Sequence, residues 1–142
     1  MTTLADNLAA LETALGDSGL GLVMLDKLTV LGAGDEHIHK GCVVRIPSSA
    51  NTDGHRNFDL SLSEDMIEVE VAYKIRPREQ RTSRDEALVL EAQIRDLLTS
   101  TDAPWSWRIV WRSSDRAVTD GDSTKLVITQ TFATLWSIAM GG

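Results

Sequence analysis

The 142-residue chain holds a single cysteine, Cys42, so the cross-linked framework that supports many small secreted domains is excluded. It has no apolar run near the roughly 20 residues that a membrane-crossing helix needs, and the residues given begin without a signal-peptide pattern. The expectation is a soluble cytoplasmic product with no membrane partner. Positive charge is scarce, with 14 Lys and Arg against 21 Asp and Glu, a net charge of −7. An acidic chain repels a nucleic-acid backbone, which disfavours any role built on neutralising phosphates. The motifs of catalysis are missing too: the sequence has no nucleophile elbow, no phosphate-cradling glycine loop and no Cys-x-x-Cys. With nothing nearby to lower its pKa, Cys42 reads as a small hydrophobe in a strand.

What the chain does have is clearest from Met66 to Leu98. The odd positions Ile67, Val69, Val71, Tyr73 and Ile75 are apolar and the even ones mostly polar, the period-two pattern of a strand with one buried face. Arg76-Pro77 ends it, because proline lacks the ladder N–H and biases the residue before it away from helix. Ser83-Arg84-Asp85-Glu86 then has the Ser-x-x-Glu spacing of a capping box. Ala87, Leu90 or Glu91, Ile94, Leu97 and Leu98 follow at helical intervals.

Around this unit, Leu4, Leu8, Leu11 and Leu15 predict a short amphipathic helix, with Thr2 or Thr3 as its cap and Gly16 as its stop. Residues 17 to 47 predict a loop with one short extended piece, then a strand at Cys42–Ile46 closed by Pro47 and antiparallel to Met66–Ile75. Ser48 to Glu64, rich in Ser, Asn, Thr, Asp and Gly, reads as a long irregular connection. Trp105, Trp107, Ile109 and Trp111 alternate with polar residues along a further strand, a stripe that suits a core or the centre of an interface. Leu126, Ile128, Phe132, Trp136 and Ile138 keep one register with no Pro or Gly between Thr124 and Ala139. That predicts one very long strand or two collinear ones, spanning roughly 50 Å. It predicts a hairpin, turning at Asp120-Gly121-Asp122, that projects from the globule and needs a neighbour to cover its edges. The expected fold is α+β, one domain over residues 1–142, with two helices on a mixed or antiparallel sheet of about four to five strands and a projecting C-terminal hairpin.

Candidate sites are few. His37, His39 and His55, with Asp35, Glu36 and Asp53, offer metal-type ligands, but His-x-His without a third ligand at a recognised spacing is what solvated loops also contain. No metal, cofactor or catalytic residue is assigned from them. Glu68 and Glu70 share a sheet face, as alternate glutamates on an exposed face do. Charge divides unevenly: residues 1–72 carry 4 basic and 12 acidic side chains (4 − 12 = −8), and residues 73–142 carry 10 and 9 (10 − 9 = +1). The concentrated basic stretch is Arg76, Arg78, Arg81 and Arg84, the candidate subunit interface.

Val69-Glu70-Val71-Ala72-Tyr73-Lys74-Ile75-Arg76-Pro77 followed by Thr82-Ser83-Arg84-Asp85-Glu86-Ala87-Leu88, in this order of elements, resembles the tail terminator proteins of long-tailed, siphovirus-type phages and related gene-transfer particles. The resemblance runs from about Val43 onward and rests on patterns rather than invariant chemical residues. It implies a structural, non-enzymatic virion protein at the head-proximal end of the tail. Such a protein assembles as a homo-oligomeric ring, a hexamer, on the tail tube protein, ends tail polymerisation and joins the head through a head-completion or neck protein. DNA would pass through the acidic channel without specific binding. The alternatives are a neck or head-completion protein, a small metal-dependent or ligand-binding enzyme using the three histidines, and an adaptor that binds one partner through its tryptophan face.

Overall fold

The computed structural model describes residues 4–25, 39–51, 60–100, 108–119 and 125–139. Helix α1 (Leu4–Gly16) is followed by the two-residue strand β1 (Val23–Met24), then β2 (Gly41–Asn51) and β3 (Leu60–Lys74). Helix α2 (Gln80–Thr99) leads to β4 (Arg108–Thr119) and β5 (Lys125–Ala139). The strands form one mixed sheet in the order β1-β2-β3-β5-β4. β1 pairs with β2 in parallel and every other pair is antiparallel. The architecture is the expected α+β arrangement of two helices on a five-stranded sheet.

The leucine stripe of α1 works as its spacing predicts, with Leu11 and Leu15 fully buried. On α2, Ala87, Leu90, Ile94 and Leu98 turn inward. They meet Ile67, Val69, Val71 and Tyr73 of β3 and Leu126, Ile128 and Phe132 of β5 in one apolar cluster, which Cys42 and Val44 of β2 also join. The odd positions of β3 therefore face the helices, and the register that pairs Ile67 with Phe132 puts the even positions of β5 beside them. The opposite sheet face has a smaller cluster of Val43, Ala72 and Val127.

Several boundaries differ from expectation. β2 does not stop at Pro47: the register shifts between Arg45 and Ser48, and pairing with β3 resumes as far as Asn51. A bulge needs no ladder N–H from its extra residue, so proline is tolerated there. Ser48–Asn51 and Leu60–Glu64 are consequently strand rather than irregular connection. β4 is likewise one strand, with a register shift between Trp111 and Ser113.

The C-terminal hairpin forms, and the chain itself covers its inner strand. β5 pairs with β3 from Lys125 to Ala139 on one side and with β4 from Lys125 to Leu135 on the other. The outer edge of the sheet is β4, which pairs with β5 alone among the strands. A 15-residue strand is about 50 Å long, whereas the 20-residue α2 is about 30 Å. α2 is therefore shorter than the β5 strand it packs against. The Asp120-Gly121-Asp122 turn, Trp105 and Trp107 lie outside the described residues.

Candidate interaction surface

The junction of β3 and α2 is tied by side chains rather than by a capping box. α2 begins at Gln80 with Glu79 as its N-cap, whose side chain makes no cap hydrogen bond. Ser83 lies inside the helix, fully buried, and its Oγ accepts the backbone N–H of Arg76 at 3.1 Å. Glu86 does not reach back to cap. It accepts a hydrogen bond from Tyr73 Oη at 2.8 Å and two from the Arg76 guanidinium at 3.1 and 3.2 Å. The expected Ser83/Glu86 box is thus replaced by cross-links from strand to helix. The helix starts four residues early, with Glu79 rather than Ser83 as N-cap, because Gln80 and Arg81 are good helix formers and nothing in the turn resists them.

These contacts set the protonation of the junction. The Arg76 and Tyr73 hydrogen bonds hold the Glu86 carboxyl below its usual range. Burial, then the Glu86 hydrogen bond, pushes the Tyr73 phenol up. His39 lies edge-on to Tyr73, ring centroids 4.5 Å apart, and its Nδ1 accepts the Lys74 N–H at 3.2 Å. Burial lowers its pKa, and the nearby Lys40 and Arg76 add to the shift. Among the described residues no group of three His, Cys, Asp or Glu side chains could hold a metal ion; His37 and His55 lie outside them. Burial pushes the Cys42 thiol up to about 12, so it is an inert member of the core.

The four candidate arginines separate. Arg76 is engaged within the chain, to Glu86 and to Glu79 at 2.7 Å. Arg78 is exposed in the turn. Arg81 and Arg84 stand on the first turns of α2, where they border an open groove of about 750 Å³ between that helix and the outer strand β4. The groove is walled by the apolar side chains of Ile75, Leu88, Val118 and Leu126. Arg116 of β4 completes a three-arginine rim. Val118 is 63 % exposed, the most exposed of the large hydrophobics among the described residues. Among the described residues Arg84 forms an ion pair only with its neighbour Asp85, at 2.9 Å, and Arg81 forms none.

Sequence reasoning missed Arg116 and Val118 as partners of the arginine turn, because they lie about 35 residues further along and only strand pairing brings them to α2. The one available signal was alternation in β4, which puts both on the helix-facing side with Ser114. Arg116 is held there by Glu91, whose buried carboxylate accepts from Nη2 at 2.8 Å. The Glu91 backbone carbonyl in turn accepts from Gln130 Nε2 at 3.0 Å.

Trp111 is half-buried, with the Arg95 guanidinium 3.9 Å over its ring. It packs at the helix–sheet seam rather than standing on an open aromatic face. Glu68 and Glu70 also depart from expectation, since Glu70 is buried. Arg45 sits between them at 3.6 and 3.5 Å, and Thr129 donates a hydrogen bond to Glu70 at 3.3 Å. On the central strand of a sheet, neighbouring long side chains from both sides cover an even position that an isolated strand would expose. No helix among the described residues is long and apolar enough to cross a membrane. No family model and no curated protein matches the chain.

Proposed function

We propose that this protein is a structural subunit of a phage tail, a terminator that caps the tail tube as a ring, stops its polymerisation and presents the surface to which the head attaches. The observation that carries the proposal is the arginine-rimmed apolar groove at the open β4 edge of a chain with net charge −7. A concave apolar surface with one sign of charge around it suits docking to a protein of opposite sign. The resemblance of the β3–turn–α2 segment to tail terminators supplies the kind of assembly. Ring formation on a tube requires a heterologous contact repeated about an axis, and the groove offers one half of it.

The test is made on particles and on purified tubes. Particles assembled without the protein should carry overlong tails, and added protein should cap purified tubes and block further growth when fresh tube subunits are supplied. Tails of normal length that fail to join heads would instead identify a neck protein. Tubes that keep growing in the presence of the protein would overturn the proposal.

A further inference from the structure

We infer that His39 is a proton-operated latch at the open end of the β2–β3 ladder. Neutral, its ring holds the last amide of β3; protonated, it lets go and loosens the strand–helix junction beside it. The inference goes beyond the tail reading and does not depend on it.

The pairing of β2 with β3 ends at Gly41 and Ala72. Lys40, the next residue outward, is the only non-glycine residue at positive φ, 60°, among the described residues. Its N–H donates to the Ala72 carbonyl at 2.8 Å, its carbonyl accepts the Val23 N–H at 2.9 Å, and its Nζ reaches the Leu20 carbonyl at 3.1 Å. Left-handed backbone strains a residue that has a Cβ, so the contacts that hold Lys40 there also fix the chain on which His39 is mounted. Beyond this bend the N–H of Lys74, the last residue of β3, is bonded to a side chain: His39 Nδ1 accepts it at 3.2 Å. The acceptor role places the ring proton of neutral His39 on Nε2. Edge-on packing against Tyr73, with 4.5 Å between centroids and 74° between planes, sets the orientation of the ring.

Uptake of a proton from solvent onto Nδ1 makes both ring nitrogens donors. Two N–H groups then oppose each other across the former hydrogen bond. The new charge also meets three cations: Lys40 on the same bend, Lys74 of β3 and Arg76 of the turn. Glu86 of α2 is the acid that acts on the ring, and it already receives Tyr73 Oη and the Arg76 guanidinium. Charged His39 therefore swings into solvent or competes with Arg76 for Glu86. Either movement leaves the Lys74 N–H without its acceptor, and the second slackens the tie between strand and helix. The change is local, because the Arg76 N–H stays bonded to the buried Ser83 and the Val71 and Tyr73 side chains stay in the core. Burial of the ring, then the nearby Lys40 and Arg76, lower its pKa from 6.5, which puts the release on the acid side of neutrality.

An NMR titration of the full-length protein, with hydrogen exchange, tests the latch. Between about pH 7.5 and about pH 5 the Lys74 amide resonance should move with the midpoint of the His39 ring. Its protection, corrected for the intrinsic exchange rate, should fall by up to about tenfold. Amide resonances of β5, such as that of Ile128, should stay in place. His39→Gln supplies an amide oxygen that can accept the Lys74 N–H and does not titrate, so Lys74 should keep its position and protection throughout. His39→Leu should show the released state at both ends of the range. Glu86→Gln removes the acid that favours the charged ring, so the His39 midpoint should move down.

A Lys74 amide that does not respond while the His39 ring titrates overturns the inference. So does an equal response in His39→Gln, which would assign the titration to another group. A His39 midpoint unmoved in Glu86→Gln would uncouple the ring from the junction. Cooperative loss of the folded spectrum over the same range would make His39 a determinant of global stability and not a latch.

Discussion

Ser83 shows how a motif can be right in composition and wrong in role. The Ser-x-x-Glu spacing marks a helix start in isolation, but here Ser83 is fully buried inside α2 and serves the backbone N–H of Arg76. Ser83→Ala should therefore cost about 1–3 kcal/mol, the range for leaving a buried donor unpaired, and Ser83→Gly should cost more because glycine weakens a helix interior. A true N-cap would give the opposite order, with glycine losing only a few tenths of a kcal/mol. Denaturant melts of the two variants decide between them.

His39 carries a pH dependence of definite sign. Its pKa in the folded protein is lowered from 6.5, so the unfolded chain binds a proton more readily than the folded one. The stability linked to neutral His39 is fully present above about 6.5 and is lost as pH falls through the lower folded value. Protonation would also remove the Nδ1 lone pair that accepts the Lys74 N–H. Melts between about pH 7 and pH 5 should show wild-type stability declining, with a flatter profile for His39→Gln. Equal slopes would show that His39 is not the titrating group.

The elements themselves follow from local pattern where one side is buried and one is not. α1, β3 and the apolar face of α2 were legible for that reason, and so was the long final strand. Boundaries failed where a tertiary partner changes the local rule. Pro47 ends a strand only if its missing N–H would break a ladder, and the bulge at Arg45–Ser48 removes that demand. The link from α1 to β1 depends on two glycines in the left-handed region, Gly19 and Gly21, both at φ 78°. A Cβ on Gly19 would meet nothing within 4 Å, so Gly19→Ala isolates the backbone term. It should lower stability by about 1–2 kcal/mol and the melting temperature by a few degrees. A neutral result in thermal unfolding would mean that the link relaxes at no cost.

For the molecule as a whole, the informative property is polarity across the sheet. An acidic helix stands over one flank and an arginine-rimmed groove beside the other. Charge contacts between exposed groups weaken as the screening length falls from about 10 Å at 0.1 M salt to about 3 Å at 1 M. The tube capping proposed above should accordingly weaken as salt is raised, and an Arg81→Glu/Arg84→Glu protein should lose most of that dependence. Binding of the wild-type protein that is indifferent to salt would point to an apolar contact elsewhere.

The sequence alone determined the α+β class, the two amphipathic helices, the buried face of β3 and the excess of acid in the first half, because each is set by residues close together in the chain. It could also show that Arg76 to Arg84 is the one dense basic stretch. Only the tertiary structure decided how those arginines divide, since the Tyr73–Glu86–Arg76 link forms when a strand end meets a helix. It alone placed β5 between β3 and β4, which covers the strand expected to need a neighbour. The groove belongs to the same class of fact: Leu88 and Val118 are thirty residues apart, and the pairing of β4 to β5 sets them on either side of one opening. Period and propensity report which side of an element is buried, whereas strand order and register depend on long-range pairing that no local window contains.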